Sequence, residues 1–422
     1  MVASCIPSVL SGKINAISSK SDAHRLLICA ALAGEATKIR CNVMSKDIAA
    51  TVDCLKAMGA DIVVRNNIIT VTPAPFKMQA ELDCFESGST LRFLLPVVSA
   101  LGIDAVISGH GRLPERPLSP LKEEMEKKGV TFQTGNDFPL HISGRLSAGD
   151  YELAGNVSSQ FISGLLFALP LLDGDSKIKL IPPVESRSYI GITLAVLKKF
   201  GIEITEEENL FIIKGNQKYR SPKEITVDGD WSNSAFFLCA GVLGGGGVTV
   251  TDLDINSPQG DKKILDVLKN MGADIAVSGN DITVKADKLS GTTVDASDIP
   301  DLVPIISVTA ALSSGETQIK NAGRLRLKEC DRLAAVYDML TAVGISVNQT
   351  EDGLIIKGGS PTGGKVSGCN DHRMVMSASI LSLFCSEPIT VTDAQAVEKS
   401  YPSFFEDFNS LGGNASVIDN GK

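Results

Sequence analysis

The chain has 422 residues, with 40 basic and 49 acidic side chains and a formal net charge of −9 at pH 7. This length predicts about two to three domains, each large enough to bury its own core. Because bulk nucleic-acid binding needs a basic face, the acidic balance argues against a nucleic-acid partner. Small anionic ligands remain compatible with it, since a site for them needs only local lysines and arginines.

The N-terminal segment MVASCIPSVLSGKI shows neither a secretory signal nor an arginine-rich transit segment, which predicts a cytoplasmic location. The longest apolar stretches, 302–312 and 235–243, are shorter than the roughly 18 residues that cross a bilayer, so no membrane association is expected. The nine cysteines are odd in number, widely spaced and without a CxxC pair. Reduced thiols and no structural metal are therefore expected.

A helix-ending glycine followed by a strand-like segment, as in LKAMGADIVV from residue 55, recurs along the chain. The glycines of this pattern, about 70 residues apart, are Gly59, Gly129, Gly201, Gly272, Gly344 and Gly412. A glycine suits the C-terminus of a helix because it readily takes the left-handed conformation there. The even spacing predicts six internal repeats.

Within a repeat the apolar period changes from helical, as in KDIAATVDCLKAMGA, to alternating, as in IVVRNNIITVTP. Tight polar turns between alternating segments, for example RNN, EEEN and SGND, indicate β-hairpins. Further helices are predicted in the stretches that begin at Ser158 and Trp231. The fold class is therefore mixed α/β, and two domains of three repeats each is the most economical packing.

Polar motifs precede apolar helices in the N-terminal half. SSKSDAHR places Lys20, Ser21 and Arg25 at a helix start, where exposed N–H groups suit an anion. ESGSTLR places Gly88 and Ser89 before another apolar helix, and small residues there allow close approach to a phosphate. For a single basic residue, a solvated surface charge is the common alternative.

Two further motifs follow in the same half. GRLPERP carries Arg116, whose forked guanidinium recognises carboxylate or phosphate. NVSSQF combines Ser158, Ser159 and Gln160 before an apolar run. This second motif indicates either recognition of a polar ligand or an ordinary helix cap.

The C-terminal half is denser in charge. RLRLKECDRL contains Arg324, Lys328, Glu329 and Arg332, so its carboxylate is surrounded by cations. Such a group suits a proton shuttle, and the alternative is an exposed helix with salt bridges. NDHRM places His372 and Arg373 directly before a helix of small residues. Asp301 in IPD lies between apolar neighbours, and Lys399 in EKSYP lies near Tyr401; the candidate site positions of these three motifs are His372, Arg373, Asp301 and Lys399.

Several classes of protein are excluded by the motifs that the chain lacks. No phosphate-binding GxxxxGK[ST] loop is present, because Gly12-Lys13 is followed by Ile14 and Gly364-Lys365 by Val366. No GxGxxG fingerprint follows a strand, which disfavours dinucleotide binding. The four histidines lack metal-ligand spacing.

Taken together, SSKS…R, GST..R, ERP, SSQ, IPD, LKECDR, NDHRM and EKSYP resemble the EPSP synthase family of enolpyruvyl transferases, collinearly from about residue 12 to 408. The resemblance implies a two-domain inside-out α/β barrel, each domain made of three βαβαββ units. It implies that residues 1–18 join 228–422 in one domain, that 19–227 form the other, and that the active site lies in the cleft between them.

The family activity is the transfer of the enolpyruvyl group of phosphoenolpyruvate to the 5-hydroxyl of shikimate 3-phosphate, without a cofactor and usually by a monomer. By matching positions, the resemblance implies that the catalytic residues are Asp301, Glu329 and Lys20. It implies that shikimate 3-phosphate is bound by Lys20, Ser21, Arg25, Ser158, Ser159, Gln160, Ser186, Tyr189, Asp301 and Lys328. It implies that phosphoenolpyruvate is bound by Lys20, Gly88, Arg116, Gln160, Arg332, Arg373 and Lys399. Further candidates are Ser89, Arg324 and His372.

Four features depart from the usual pattern: Ile17-Ser18 for Pro-Gly, Glu86 for Asn, Phe93 for Pro, and Arg324 for an Asn of some members. Two alternative functions are kept. One is the sister reaction on UDP-N-acetylglucosamine, whose enzymes carry a reactive cysteine in the loop matching 109–117, where this chain has none. The other is a non-catalytic anion-binding protein, which would have no need of carboxylates beside its anion.

Overall fold

The chain is described here by a computed structural model that covers residues 1–244 and 246–419. It forms two compact units: unit 1 is Met1–Ile17 with Asp228–Lys422, and unit 2 is Ser18–Val227. Ser18 thus lies in unit 2, whereas the sequence-based boundary placed it with the other domain. Gly245 and residues 420–422, which fall inside the predicted range 228–422, lie outside the described residues.

The described residues contain short strands alternating with helices. The strands are β1 Val2–Ile6, β2 Gly12–Asn15, β3 Thr37–Arg40, β4 Asp61–Arg65, β5 Ile68–Thr72, β6 Gln79–Asp83, β7 Asp104–Ser108, β8 Val130–Phe132, β9 Leu140–Gly144, β10 Asp150–Ala154, β11 Ser176–Ile181, β12 Ile204–Glu207, β13 Leu210–Ile213, β14 Glu224–Thr226, β15 Val248–Thr251, β16 Asp274–Ser278, β17 Asp281–Lys285, β18 Thr293–Asp295, β19 Glu316–Lys320, β20 Ser346–Gln349, β21 Leu354–Lys357, β22 Gly364–Val366, β23 Ile389–Thr392 and β24 Asn414–Ile418. The helices are α1 Lys20–Leu32, α2 Lys46–Met58, α3 Gly88–Leu101, α4 Leu121–Lys127, α5 Ser159–Ala168, α6 Arg187–Lys199, α7 Trp231–Leu243, α8 Ile264–Asn270, α9 Val303–Ala311, α10 Arg332–Ala342, α11 His372–Ser382 and α12 Phe404–Ser410.

The first repeat shows how the sequence produces its elements. Helix α2 begins after Ser45, whose hydroxyl accepts from the N–H of Ile48 and so caps the helix. The helix ends at Gly59, which has a φ of 124°. The N–H of Gly59 donates to the carbonyl of Leu55. A side chain at that φ would be strained, so the residue type sets the end of the helix.

All six glycines of the repeat pattern have a positive φ, which confirms their predicted place at helix ends. Their φ values are 124° at Gly59, 97° at Gly129, 74° at Gly201, 105° at Gly272, 83° at Gly344 and 103° at Gly412. The predicted hairpins are also present, for example β4 with β5. Their turn residues Asn66 and Asn67 are both left-handed, as a two-residue hairpin turn requires.

The strands form six four-stranded sheets among the described residues. In each sheet two neighbouring strands run parallel and the others pair antiparallel, as in the order β10-β11-β13-β12. Two sheets of unit 1 include the N-terminal strands: β1 lies between β23 and β24, and β2 pairs with β15. In unit 2, strand β14 completes the sheet of β3.

Each unit buries three helices along most of their length and leaves its strands with one exposed face. In unit 2 the buried helices are α1, α3 and α5, and in unit 1 they are α7, α9 and α11. Strands such as β6 alternate exposed and buried residues. A helix that is apolar all round belongs inside, and a strand that alternates belongs at a surface. This confirms the inside-out α/β fold.

Helices α3 and α5 of unit 2 approach closely at a glycine. A Cβ at Gly164 would lie 2.3 Å from the carbonyl oxygen of Arg92 and 3.1 Å from Cγ of Pro96. Pro96 lacks the N–H that would otherwise bond the Arg92 carbonyl within α3. The backbone of Arg92 is therefore exposed to α5, and only glycine leaves room for that contact.

The helices of residues 1–244 and 246–419 are each too short or too polar to cross a lipid bilayer.

Candidate active site

The candidate residues of unit 2 gather at the N-termini of its buried helices. Helices α1, α3 and α5 begin at Lys20, Gly88 and Ser159, and each is capped by the hydroxyl of the preceding serine. The N-terminal end of a helix carries partial positive charge and exposed N–H groups. Helices α1 and α3 also carry basic side chains near these ends, Lys20 and Arg25 in α1 and Arg92 in α3, which adds to an anion-attracting environment.

Lys20 lies at the first of these ends. Its Nζ donates to Oδ2 of Asp47 over 2.8 Å, and the two side chains are only 16% and 11% exposed. Asp47 lies in the first turn of α2, which its charge also stabilises. The ion pair holds the ammonium in one place beside the start of α1.

Arg25 is buried one turn further along α1. Its Nε donates to Oγ1 of Thr193 over 2.8 Å, and its Nη atoms donate to the carbonyls of Ser21 and Tyr189 over 2.6 and 3.0 Å. The guanidinium also lies 4.8 Å from the centroid of the Phe93 ring. Burial lowers the pKa of Arg25 to about 10, so its charge persists at neutral pH while its bonds go to neutral groups.

Two arginines meet at the start of α3. A Cβ at Gly88 would lie 2.9 Å from Nη1 of Arg116 and 3.1 Å from Nη1 of Arg92, so only glycine lets both guanidiniums approach the helix end. Arg92 Nη1 donates to Oε1 of Gln160 over 2.8 Å, and Gln160 Nε2 donates to the hydroxyl of Ser89 over 3.0 Å. These contacts join α3, α5 and the loop that carries Arg116.

The remaining candidates of unit 2 lie around α5 and α6. Ser158 caps α5 by accepting from the N–H of Gln160 over 3.3 Å, so the helix-cap interpretation of SSQ is correct as far as it goes. Ser186 is fully buried at the start of α6 with φ 51°. Tyr189 contributes its carbonyl to Arg25. The structure therefore connects Ser186 and Tyr189 to the Arg25 environment through α6.

In unit 1, Asp301 is surrounded by three cations. Its Oδ1 accepts from Arg332 Nη1 over 2.9 Å and from Lys328 Nζ over 3.4 Å. Its Oδ2 accepts from Arg373 Nη2 over 2.9 Å. The Asp301 side chain is 18% exposed, so a largely buried carboxylate keeps an accessible edge while its charge is compensated.

Arg332 joins the carboxylates of unit 1 into one network. Besides Asp301, it donates to Glu329 Oε2 over 2.9 Å and to both oxygens of Asp371 over 2.7 and 3.2 Å. Burial opposes the charge of this guanidinium, but the carboxylates of Asp371, Glu329 and Asp301 outweigh burial and raise the pKa of Arg332 well above its usual value. The arginine is a permanent cation in this site.

Lys328 has a different character from the arginines. Its side chain is 25% exposed, and desolvation lowers its pKa to about 8 against the opposing charge of Asp301; the charges of Arg324 and Arg332 lower it further. Arg324 therefore acts on Lys328 through its charge. Near pH 8 this ammonium can lose its proton, which the neighbouring guanidiniums do not.

The NDHR segment begins α11, with Asp371 as its cap. Asp371 is fully buried and accepts from the N–H of Arg373 over 2.8 Å. Lys399 Nζ donates to the carbonyl of Asn370 over 2.5 Å, and His372 is 2% exposed. The structure thus brings the Lys399 ammonium to the turn that precedes Asp371.

The sequence motifs missed several residues that complete the two sets. Arg92 is not among the predicted site residues, although it is the one charged residue inside the apolar stretch of α3. Asp371 directly precedes the predicted site residues His372 and Arg373, but its sequence pattern is that of an ordinary helix cap. Asp47, the partner of Lys20, carries no signal except acidity in the first turn of a helix. Within RLRLKECDRL, Arg326 forms an ion pair with Asp331. For this part of the motif, the salt-bridge alternative is therefore correct.

Within the part of the chain that the structure describes, no three His, Cys, Asp or Glu side chains come together as metal ligands.

Glu86, one of the departures from the family pattern, directs its carboxylate at the backbone of Gly111, where a Cβ would lie 2.5 Å from Oε2. Phe93, another departure, is fully buried beneath the Arg25 guanidinium.

The fold is that of the enolpyruvyl transferases. The enolpyruvyl transferase NikO from Streptomyces tendae has a TM-score of 0.80 against this chain at 18% identity, with 98% of each chain covered. The EPSP synthase structure from Acinetobacter baumannii has a TM-score of 0.81 at 27% identity, covering 99% of this chain and 100% of its own.

Residues 5–408 match the profile of the family described as EPSP synthase (3-phosphoshikimate 1-carboxyvinyltransferase). A 3-phosphoshikimate 1-carboxyvinyltransferase from Clostridium novyi (strain NT) is 44% identical over 429 residues, covering 98% of this chain and 97% of its own. The chain belongs to the EPSP synthase family.

Proposed function

We propose that this chain transfers the enolpyruvyl group of phosphoenolpyruvate to the 5-hydroxyl of shikimate 3-phosphate and releases phosphate, a step in aromatic amino acid biosynthesis. Membership of the family over nearly the whole chain supports this activity. The observation that carries the residue roles is the pair of carboxylates, Asp301 and Glu329, held by one buried arginine, Arg332. A protein that only bound anions would have no use for that pair.

The addition step of the reaction requires two proton movements, and the elimination step requires a third. The 5-hydroxyl loses its proton as its oxygen bonds to the enol carbon, and the methylene carbon gains one; loss of phosphate and of a methyl proton then restores the double bond. We assign Asp301 as the base for the hydroxyl and Glu329 as the acid for the methylene carbon. Both are less than one-fifth exposed, and a positioned carboxyl group typically contributes about 10²–10⁴-fold.

The cations divide between the two anionic substrates. For shikimate 3-phosphate the proposed ligands are Lys20, Ser21, Arg25, Ser158, Ser159, Gln160, Ser186, Tyr189, Asp301 and Lys328. For phosphoenolpyruvate they are Lys20, Gly88, Arg116, Gln160, Arg332, Arg373 and Lys399. Lys20 is assigned to both substrates and to catalysis, and further contacts are assigned to Ser89, Arg324 and His372. Each substrate is therefore assigned residues of both units.

No cofactor enters this scheme, because phosphoenolpyruvate is already activated and carries its own leaving group. We further propose that the chain acts as a monomer in the cytoplasm. The free thiols of its nine cysteines suit a reducing compartment.

The activity is tested by phosphate release from phosphoenolpyruvate with shikimate 3-phosphate, using UDP-N-acetylglucosamine as the control acceptor. We expect turnover with the shikimate acceptor alone. Turnover with the sugar nucleotide would replace this proposal by the sister reaction, and binding of both substrates without turnover would leave a non-catalytic anion-binding protein.

The roles of the carboxylates are tested with Asp301→Asn and Glu329→Gln. Each should lower kcat at least about 100-fold while substrate affinity changes little, because each removes a proton-transfer group and keeps its shape. Asp338→Asn, an exposed acid on α10, is the matched control and should retain full activity. Full turnover in either site variant would contradict its assigned role.

A further inference from the structure

Four buried polar residues of unit 2 connect α1 and α2 to the start of α3. They are His24 of α1, Thr51 of α2, and Thr90 and Ser87 at the N-terminal end of α3, and all four are fully buried. His24 Nδ1 lies 2.7 Å from Thr51 Oγ1, which lies 2.7 Å from Thr90 Oγ1. We call these four residues the His24 network. None of them is among the residues assigned to the substrates.

The hydrogen bonds of the His24 network can run in one direction only. Thr90 donates its hydroxyl hydrogen to Ser87 Oγ over 2.8 Å. Because a hydroxyl has a single hydrogen, the Thr90 oxygen can only accept from Thr51, and the Thr51 oxygen can then only accept from His24. Nδ1 of His24 must therefore carry a hydrogen and donate it to Thr51.

The surroundings of the imidazole determine the state of its other nitrogen. Nε2 of His24 is buried and has no hydrogen-bond partner among the residues that the structure describes, and the ring packs edge-on against Phe93 with 6.5 Å between the centroids. A hydrogen on Nε2 would be buried without an acceptor, which is unfavourable. Burial lowers the pKa of His24 well below its usual value, and the charges of Lys20 and Arg25 lower it further. His24 is therefore a neutral imidazole with its hydrogen on Nδ1.

The last member of the network, Ser87, fixes the start of α3. Its Oγ accepts from the N–H of Thr90 over 3.2 Å as well as from the Thr90 hydroxyl, so it caps the helix. Gly88 follows directly and begins the helix, and a Cβ there would lie 2.9 Å from Nη1 of Arg116. The network thus connects α1 to the helix end against which the Arg116 guanidinium packs.

We propose that His24 is a positioning residue for phosphoenolpyruvate: as the first donor of the network, it holds the start of α3, with Gly88 and Arg116, in place relative to α1. This role rests on the proposed function, which assigns Gly88 and Arg116 to phosphoenolpyruvate. Shikimate 3-phosphate should depend less on His24, because Arg25 is held by Thr193 and by two backbone carbonyls outside the network.

The direction of the network is tested by nitrogen-15 NMR of the imidazoles in the full chain at pH 7. The chain has four histidines, and the signals missing from His24→Asn identify those of His24. We expect a hydrogen on Nδ1 and none on Nε2. A hydrogen on Nε2, alone or together with one on Nδ1, would overturn the assignment. This measurement does not depend on enzyme activity.

The effect on the substrate is tested with two variants of similar shape. His24→Asn keeps an N–H donor close to the position of Nδ1, whereas His24→Leu removes the donor, and both variants lose the ring. Because a displacement of about 1 Å can cost about 100-fold, His24→Leu should raise KM for phosphoenolpyruvate about tenfold. KM for shikimate 3-phosphate should change little, and His24→Asn should recover most of the loss. Equal KM values in the two variants, or an equal rise for both substrates, would overturn the positioning role.

Thr51→Val is a second variant, which breaks the network and leaves His24 in place. It should raise KM for phosphoenolpyruvate as His24→Leu does, and the double variant should be no worse than either single one, because all three break the same series of bonds. Additive effects would show that His24 and Thr51 act separately and would overturn the proposal. A parent chain without turnover would contradict the proposed function instead, and the NMR signals would still decide the direction of the network.

Discussion

The two units hold their buried arginines in different ways. In unit 2, Arg25 bonds a hydroxyl and two carbonyls, and Arg92 bonds an amide oxygen and a carbonyl. In unit 1, Arg332 and Arg373 bond carboxylates. Neutral partners position a guanidinium without cancelling its charge, whereas carboxylates compensate it. Unit 2 is therefore suited to attract and bind an anion, and unit 1 to place carboxylates where protons must move.

The sharpest way to break this comparison is to remove one arginine from each unit. Arg332→Gln leaves the buried Asp371 without its cation and should lower the free energy of unfolding by about 3–5 kcal/mol. Arg25→Gln leaves only neutral acceptors and should cost about 1–2 kcal/mol while raising KM for shikimate 3-phosphate. Urea unfolding with steady-state kinetics measures both. Equal losses of stability would show that the two arginines do not differ in this way.

A second prediction concerns the close helix contact that positions Arg92 in unit 2. Gly164→Ala would place a methyl group 2.3 Å from the Arg92 carbonyl and should lower stability by about 1–3 kcal/mol. Gly191→Ala is the matched control in α6, because no atom lies within 4 Å of its added Cβ. It should raise stability by up to about 1 kcal/mol. A harmless Gly164→Ala would mean that α3 and α5 are not fixed by this contact.

A third prediction concerns the buried polar chain that connects helices of unit 2. Oγ1 of Thr51 lies 2.7 Å from both His24 Nδ1 and Thr90 Oγ1, and Thr90 donates to Ser87 over 2.8 Å. Thr51→Val keeps the shape but removes both hydrogen bonds, which should cost about 2 kcal/mol. Thr51→Ser keeps the hydroxyl and should restore most of the loss in thermal or urea unfolding. Similar losses for the two variants would assign the effect to packing.

The smallest expected effect is a pH dependence of KM, which should come from Lys328 of unit 1 and not from Arg25 of unit 2. Lys328 has a lowered pKa of about 8, so its positive charge is present below that pH and is lost as pH rises through it. KM for shikimate 3-phosphate should therefore rise by up to about tenfold near pH 9. Lys328→Arg should abolish this inflection, because an arginine stays charged at this pH. Arg25, with a pKa of about 10, is also still charged there and adds no inflection of its own. An unchanged inflection would exclude Lys328 as its source.

The repeat pattern made most of the fold predictable. The glycines at helix ends need a backbone conformation that few other residues take, so Gly59 and its equivalents mark each repeat in sequence. Hairpin turns such as Asn66-Asn67 are read from residue type in the same way. The pairing of β1 with β23 and β24 is different, because pairing over nearly 400 residues leaves no local pattern; the family resemblance implied only that residues 1–18 join 228–422 in one domain.

The candidate site was predictable where charges stand alone among apolar residues, as Asp301 does. Partners such as Asp47 were not, because an acid in the first turn of a helix has an ordinary structural explanation. Contacts that depend on two distant segments, such as Arg332 with Asp371, had no signal either.

The position of β1 has a consequence for the order in which the chain matures on the ribosome. Residues 18–227 of unit 2 are continuous, so all of that unit has emerged while most of unit 1 is still unsynthesised. Strand β1 precedes unit 2 in the chain but pairs with β23 and β24, which follow unit 2. The nascent β1 segment must therefore wait, without these two neighbours, until β23 and β24 have been synthesised. A premature stop before β23 would deprive β1 of both neighbours and leave unit 2 as the only complete unit.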